Sequence, residues 1–303
     1  MIIIIDGNQL ACRCYFSLNR PDNKQELTTR SGKRTELIYG FLSSFRKLVR
    51  TYKQPDSVFL LTWDGGNKKR KTIFPSYKAG RKSFESAFYE QLDDIRDVVN
   101  LLGVKQYHFQ DVEADDIIGT LTIKCRKKGK KILIVSSDHD FEQLISNSVK
   151  VLHPQGGDII KDVKWVQDNY GIEPQRLVEI MSLTGDPTDS IPGIEKVGDK
   201  TAAKLIIANG SLDNIIENPD NLKNLNKKGE IVDAKEDLKI KIKANIETIK
   251  LARQLVQIDC NMELEPDINS QPKDFEALEQ RFKELEFELF LKSMGEWKGL
   301  FND

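Results

Sequence analysis

Nine carboxylates fall at five places in this 303-residue chain, and their spacing is that of a cation site. Asp6 ends the apolar run Ile2-Ile3-Ile4-Ile5, Asp64 follows the run 58–63, and Asp138-His139-Asp140 follows the run 132–135. Glu113-Ala114-Asp115-Asp116 and Gly185-Asp186-Pro187-Thr188-Asp189 supply the rest. So many like charges cannot share one pocket unless cations hold them, because each raises its neighbour's pKa or repels it. The pattern predicts a site for two or more metal ions. Oxygen donors without a His/Cys cluster suit Mg²⁺ or Mn²⁺ rather than Zn²⁺. Two such ions roughly 4 Å apart can activate a water and neutralise charge on a phosphodiester and its leaving oxygen. A lone Asp115 or Asp140 would be explained as a helix cap. Capping does not call for acids in adjacent pairs at several strand ends, so the set reads as functional.

These acids need elements that hold them at one end of a sheet. The β-branched run 2–5 reads as a buried strand, 58–63 as a second and 131–136 as a third. Helical spacing runs over 36–52, 84–102 closed by Gly103, 115–128 closed by Gly129, and 140–146. Alternating strands and helices imply a parallel sheet flanked by helices, with ligands beyond the carboxyl ends of the strands. Asp6, Asp64 and Asp138 fall there. Strand signals fade near residue 165, and helices are expected at 174–183, 199–208, 212–217, 235–255 and 275–291, with a mobile loop over 218–236. The expected division is a parallel-sheet core over 1–165 with an excursion, partly helical, at about 65–91, a helical domain over 166–265 and a helical tail over 266–303 whose apolar stripe is for packing.

The formal net charge is −1, yet with the nine clustered acids set aside 46 Lys and Arg face 38 Asp and Glu, so a nucleic-acid partner is not excluded. Cys12, Cys14, Cys125 and Cys260 show no paired spacing and do not make a disulfide framework. The opening MIIIID is too short for a signal peptide and no later run approaches membrane-spanning length, so a cytoplasmic, soluble protein without membrane contact is expected.

The series IDG at 5–7, WDG at 63–65, FPSYKAGR at 74–81, EADD at 113–116, SSDHDF at 136–141 and GDPTDSIPGIEKVGDKTA at 185–202 resembles the 5′-nuclease domain of bacterial DNA polymerase I and the related phage 5′-exonucleases and flap endonucleases. IDG and WDG are weak signals alone; GDPTDSIPGIEKVG is strong because it joins two acids to a proline-glycine turn ahead of a helix. The likeness runs from residue 5 to about residue 265, and no polymerase domain follows, so a free-standing nuclease, bacterial or phage-encoded, is expected. It implies a PIN-like nuclease core with a smaller all-helical domain holding a helix-three-turn-helix. It implies a structure-specific 5′ nuclease, exonuclease and flap endonuclease in one, that leaves a 5′-phosphate and a 3′-hydroxyl in primer removal or repair.

By position, Asp6, Asp64, Glu113 and Asp115 resemble the family's first metal group, and Asp116, Asp138, Asp140, Asp186 and Asp189 its second. Tyr77, Lys78 and Arg81 match the arch over the 5′ end: on a helix Lys78 and Arg81 would share a face toward the scissile phosphate, and Tyr77 would stack a base. The run Lys68, Lys69, Arg70 and Lys71 is either a solvated loop or a funnel for the single strand. Gly193, Lys196, Gly198, Lys200 and Lys204 are the expected duplex contacts, since glycines let backbone approach phosphate and a helix start binds it; the resemblance adds a K⁺ held by main-chain oxygens. Ser190 stands where many relatives have Asn, and Trp63 where Phe is more usual. His139 is read as a bystander pointed away from the acids by strand alternation.

The expected partners are DNA with a 5′ single-stranded arm or flap beside duplex, and an RNA primer on DNA, bound by a monomer. Competing readings are a non-catalytic junction-binding module, a PIN-type RNase, and a phosphotransferase or topoisomerase-primase domain. None of the nine acids is missing, which disfavours the first, and the last does not call for EADD, YKAGR and a glycine turn together.

Overall fold

The computed structural model describes residues 1–20, 23, 24, 27–154, 157–269 and 271–302. In chain order, β1 (Ile2–Asp6) runs into α1 (Gly7–Leu18), followed by the short ribbon β2 (Asn19–Arg20) and β3 (Asn23–Lys24), then α2 (Glu36–Tyr52), β4 (Val58–Trp63), α3 (Lys68–Ile73), α4 (Ser86–Leu101), β5 (Lys105–His108), α5 (Ala114–Lys127) and β6 (Ile132–Val135). A 3₁₀ helix (His139–Leu144) leads to β7 (Val149–Pro154), β8 (Asp158–Lys161), α6 (Val163–Tyr170), α7 (Leu177–Thr184), α8 (Asp199–Asn209) and α9 (Leu212–Glu217). The ribbon β9 (Lys223–Leu225) and β10 (Ile231–Asp233) precedes α10 (Glu236–Ala244), α11 (Ile246–Val256), α12 (Phe275–Glu284), α13 (Glu288–Lys292) and α14 (Met294–Phe301).

Contacts divide the chain into two compact units: Met1–Gly66 with Ser83–Ser137 and Met262–Asp303, and Asn67–Lys82 with Asp138–Asn261. In the first, parallel strands lie in the order β5-β4-β1-β6. All five residues of β1 are buried, as a strand covered on both faces requires. β1 and β4 pair with Asp6 opposite Thr62, so their acids sit at neighbouring strand ends. Helix α2 buries Leu37, Ile38, Phe41, Phe45, Leu48 and Val49, the stripe that its 3.6-residue period lays on one face. The tail packs here too: Phe282, Phe290 and Trp297 are buried, with Arg46 over the Phe290 and Trp297 rings at 5.1 Å each.

The tail departs from the single helix expected over 275–291. Glu286 takes φ +57, which a helix cannot continue through, and α13 and α14 follow as separate turns.

In the second unit β7 pairs antiparallel with β8, strands the sequence reading had passed over, and α7 packs against both α8 and α11. Two further expectations are corrected. The segment 218–236 is a 3₁₀ turn at Pro219–Asn221 and an antiparallel ribbon rather than a mobile loop; the Asn209 amide ties it to α8 by donating to the Lys223 carbonyl (2.8 Å) and accepting from the Lys223 N–H (2.9 Å). The helix expected over 235–255 breaks at Asn245, whose φ −118 leaves the helical region and starts α11 afresh.

Candidate metal centre and duplex-binding turn

In the first unit each acid is set by its strand end. Asp6 is buried; its Oδ1 accepts the Gln9 N–H (2.9 Å) at the start of α1 and its Oδ2 the Ser136 hydroxyl (3.0 Å) just past β6. Asp64 lies one residue past β4, its N–H donating to Asn8 Oδ1 (2.9 Å) and its Oδ1 accepting the Ala114 N–H (2.8 Å). The chain can reach that bond because of Gly65, where a Cβ would stand 1.9 Å from the Phe109 carbonyl oxygen. Asp64 thus caps α5, the helix whose N-cap is Glu113 and whose first turn holds Asp115 and Asp116. Glu113 and Asp116 are buried there, near the helix terminus that favours negative charge. The structure therefore groups Asp6, Asp64, Glu113, Asp115 and Asp116 around the carboxyl ends of β1 and β4. Capping is real at this site, and Asp64 performs it rather than Asp115.

In the second unit Asp138 Oδ1 accepts the Asp140 N–H (2.8 Å), and Asp186 Oδ1 accepts the Thr188 N–H (2.7 Å) in a loop closed by paired bonds between Asp186 and Ile191. Burial pushes the Asp138 carboxyl up from its ordinary value, with Asp189 and Asp186 adding repulsion and Lys78 opposing it. Asp140 is pushed well up by burial first and then by Asp138, Asp186 and Asp189. Asp138, Asp140, Asp186 and Asp189 therefore form one electrostatic group. Asp189 is buried and engaged by the YKAGR segment: the Tyr77 hydroxyl donates to Oδ2 at 3.2 Å, Lys78 Nζ lies 3.6 Å from Oδ2, and Arg81 pairs with Oδ1.

In these side-chain conformations no group of three or more His, Cys, Asp or Glu among the described residues is arranged to hold a metal ion. The donor set nonetheless fits hard cations. Its atoms are carboxylate oxygens, and two of the acids are held above their ordinary range by burial and mutual repulsion, a penalty that a divalent ion relieves.

Four readings of single residues change. Lys78 and Arg81 are not on a helix: 75–80 is a series of turns with Lys78 at φ +56, and the two cations meet at Asp189 instead. Tyr77 is 2% exposed and packs with Ile191, Ala252, Leu255 and Val256, so its ring is closed to a base. Arg70 is buried in α3 rather than solvated, and its guanidinium donates to the carbonyls of Leu255 (2.9 Å) and Gln257 (3.2 Å). His139 opens the 3₁₀ helix rather than continuing a strand; its Nδ1 is 2.7 Å from the Glu142 carboxylate, which raises its pKa. It remains outside the acidic group, for a different reason from the one expected.

Sequence reading missed the residues that aim the acids. Asn8, Gln9 and Ser136 bond to Asp64 and Asp6, and Gln9 also donates to Ser137.

Between α7 and α8 the chain makes the expected glycine turn. At Gly193 a Cβ would meet the Thr184 carbonyl oxygen at 1.9 Å, while buried Ile194 and Val197 pin the turn. Gly198, the N-cap of α8, has nothing within 4 Å of an added Cβ, so its lack of a side chain leaves backbone open to the outside. Lys196, Lys200 and Lys204 are exposed, the last two one turn apart on α8. Ser190 takes φ +60, a conformation Asn tolerates better than Ser.

Comparison with known proteins places this geometry. Residues 1–171 match the sequence model of the 5′-3′ exonuclease N-terminal resolvase-like domain, and residues 172–278 that of the 5′-3′ exonuclease C-terminal SAM fold. Curated relatives include the thermostable DNA polymerase I of Thermus thermophilus, 34% identical over 297 residues, covering 97% of this chain and 33% of that protein. DNA polymerase I of Mycobacterium leprae is 32% identical over 295 residues, covering 95% of this chain and 30% of that protein. The chain spans about a third of the length of these relatives. The fold is that of T5 5′-exonuclease, solved with divalent metal ions (zinc) bound, at TM-score 0.67, 16% identity and 99% coverage of both chains. It is also that of the catalytic core of Rad2, solved with DNA substrate, at TM-score 0.64 and 13% identity, covering all of this chain and 92% of the other. With both halves matched in order by the family's two domain models, this chain belongs to the 5′-3′ exonuclease family.

Proposed function

We propose that this protein is a divalent-metal-dependent, structure-specific 5′ nuclease that cuts DNA near the junction of a 5′ single-stranded arm and duplex, leaving a 5′-phosphate and a 3′-hydroxyl. The observation that carries this reading is the second unit's acidic group, in which half-buried Asp138 and Asp140 are held above their ordinary pKa while buried Asp189 faces Lys78 and Arg81. Acids and phosphate-seeking cations in one group are what phosphodiester hydrolysis uses.

Two or more Mg²⁺ or Mn²⁺ ions, when bound, supply an activated water and charge neutralisation at the phosphate. Asp6, Asp64, Glu113 and Asp115 are the ligands proposed for one group, and Asp116, Asp138, Asp140, Asp186 and Asp189 for the other. Ser136 and the Gln9 N–H hold the Asp6 carboxylate, and Asn8 fixes the backbone N–H of Asp64, which limits the rearrangement that metal binding requires. Lys78 and Arg81, now paired with Asp189, donate to the scissile phosphate and offset its negative charge in the transition state. Tyr77 acts indirectly, by fixing the Asp189 carboxylate. The Gly193 to Gly198 turn with Lys196, Lys200 and Lys204 grips duplex phosphates without reading sequence, and its main-chain oxygens are the proposed K⁺ ligands. The proposed substrates include an RNA primer on DNA, acted on by a monomer.

A 5′-end-labelled flap duplex incubated in Mg²⁺ and in EDTA tests this. Cleavage near the flap base is expected in Mg²⁺ only, lost in Asp138→Ala with duplex binding retained. Cleavage that survived EDTA would remove the metal mechanism, and cleavage of single-stranded RNA alone would favour a PIN-type RNase.

A further inference from the structure

Burial of Tyr77 leaves the expected base-stacking role without its residue, and the first unit carries another set of rings suited to it. Tyr15 and Phe16 lie near the end of α1, Phe84 just before α4 and Phe88 in its first turn. Tyr15 stands edge-on to Phe16 (5.6 Å, 79°), Phe84 (5.2 Å, 82°) and Phe88 (5.3 Å, 89°), and Phe84 stacks on Phe88 at 4.0 Å. Phe88 is buried and anchors the group, whereas the Phe16 side, 5.9 Å from Phe84, is 61% exposed. What sets this ring apart from the chain's other exposed apolar side chains is the packed set of rings beside it, which presents it as a flat, supported face.

We propose that Phe16, backed by Tyr15 and Phe84, is a stacking platform for a base of the single-stranded nucleic-acid arm. Three features single out a base. Its flat apolar face matches an exposed ring held by edge-on neighbours, and stacking of this kind accepts any base. Helix α1 begins directly after Asp6, so Phe16 lies ten residues along one helix from a proposed metal ligand, about 15 Å away at 1.5 Å per residue. A bound strand therefore meets the platform a few nucleotides from the bond to be cut. Arg13 lies one turn nearer Asp6 on the same helical face as Phe16, a cation placed for the phosphate between base and acid. The inference rests on the nuclease reading above and adds to it where the arm is held.

The test uses the full chain in EDTA, so that substrate is bound and not cut. Flap duplexes carry 2-aminopurine at successive arm positions, and a blunt duplex without an arm is the control. Phe16→Ser, at an exposed site where folding is not at stake, is expected to weaken binding of the flap about tenfold and to leave the blunt duplex unchanged. It is also expected to abolish the quenching of 2-aminopurine at one arm position. Phe16→Trp is expected to restore affinity, with its fluorescence quenched by the arm. Unchanged flap affinity in Phe16→Ser, or equal losses on flap and blunt duplex, would overturn the platform; so would capture of a protein partner by this face with no effect on the arm. Wild-type cleavage of the flap in Mg²⁺ alongside any of these results would leave the nuclease reading intact, whereas wild-type protein that neither bound nor cut flaps would end both.

Discussion

The Tyr77 hydroxyl donates to the Asp189 carboxylate at 3.2 Å while its ring packs among Ile191, Ala252, Leu255 and Val256. One residue thereby joins the hydrophobic core of the second unit to its acidic group. The bond and the ring have separable consequences. Tyr77→Phe keeps the ring and removes one bond, costing about 1 kcal/mol of stability; Tyr77→Ala empties the core position and costs about 3–5 kcal/mol. Urea titrations of both variants check this. A loss of arm binding in Tyr77→Phe with unchanged stability would contradict the buried role.

Stability should respond to pH and metal together. Asp138 and Asp140 have carboxyl pKa values raised in the folded protein, by burial first and then by neighbouring acids. The folded state thus binds protons more tightly than the unfolded chain, and the resulting stability is full below the ordinary carboxylate pKa. It is lost as pH rises through the raised folded values. Metal-free protein should therefore melt at progressively lower temperature as pH climbs from the ordinary carboxylate range toward neutrality. Mg²⁺ binding the ionised forms should raise Tm more at pH 7.5 than at pH 5; at a hundredfold excess over Kd one site stabilises the fold by about 2.7 kcal/mol. Differential scanning calorimetry in EDTA and in Mg²⁺ measures both trends. A Tm gain independent of pH would contradict this account.

The two glycines of the proposed duplex-binding turn should fail differently. Gly193→Ala drives a Cβ into the Thr184 carbonyl oxygen, so it should destabilise the fold by about 1–3 kcal/mol as well as weaken duplex binding. Gly198→Ala has open space and an ordinary φ of −97°, so stability should be unchanged and only duplex affinity should fall. Melting curves beside duplex titrations separate the two.

Arg70 and Lys200, both basic, should likewise separate. Arg70→Ala leaves the carbonyls of Leu255 and Gln257 without their donor and should cost about 1–3 kcal/mol of stability with no change in the salt dependence of DNA binding. Lys200→Ala should leave stability alone and lower the slope of log K against log salt by about 0.9. Binding measured across a salt series decides between these roles.

Much of the core was legible because the signals are local. The run Ile2–Asp6 is β-branched and buried throughout, and α2 has the bounds its apolar spacing predicts. Helix α9 also begins and ends where expected, with Ser211 capping it through the Asn214 N–H. What escaped depended on distant partners. Tyr77 and Arg70 sit in a polar, basic stretch that reads as exposed, yet both meet α11 or the residues just after it, far along the chain. The strands β9 and β10 are three residues each, too short for alternation to register. That Asp6, Asp64 and Asp138 stand at or just past strand ends was legible, because an acid after an apolar run is a local signal; the Asn8, Gln9 and Ser136 contacts around Asp6 and Asp64 were not, because no periodicity marks them.

The most direct test is a crystal soaked in Mn²⁺ and measured for anomalous scattering. Peaks within about 2.0–2.2 Å of carboxylate oxygens of Asp6, Asp64, Glu113 and Asp115, and of Asp138, Asp140, Asp186 and Asp189, are the predicted result. Those oxygens found dispersed, with no anomalous peak beside them, would contradict the metal-dependent nuclease at its foundation.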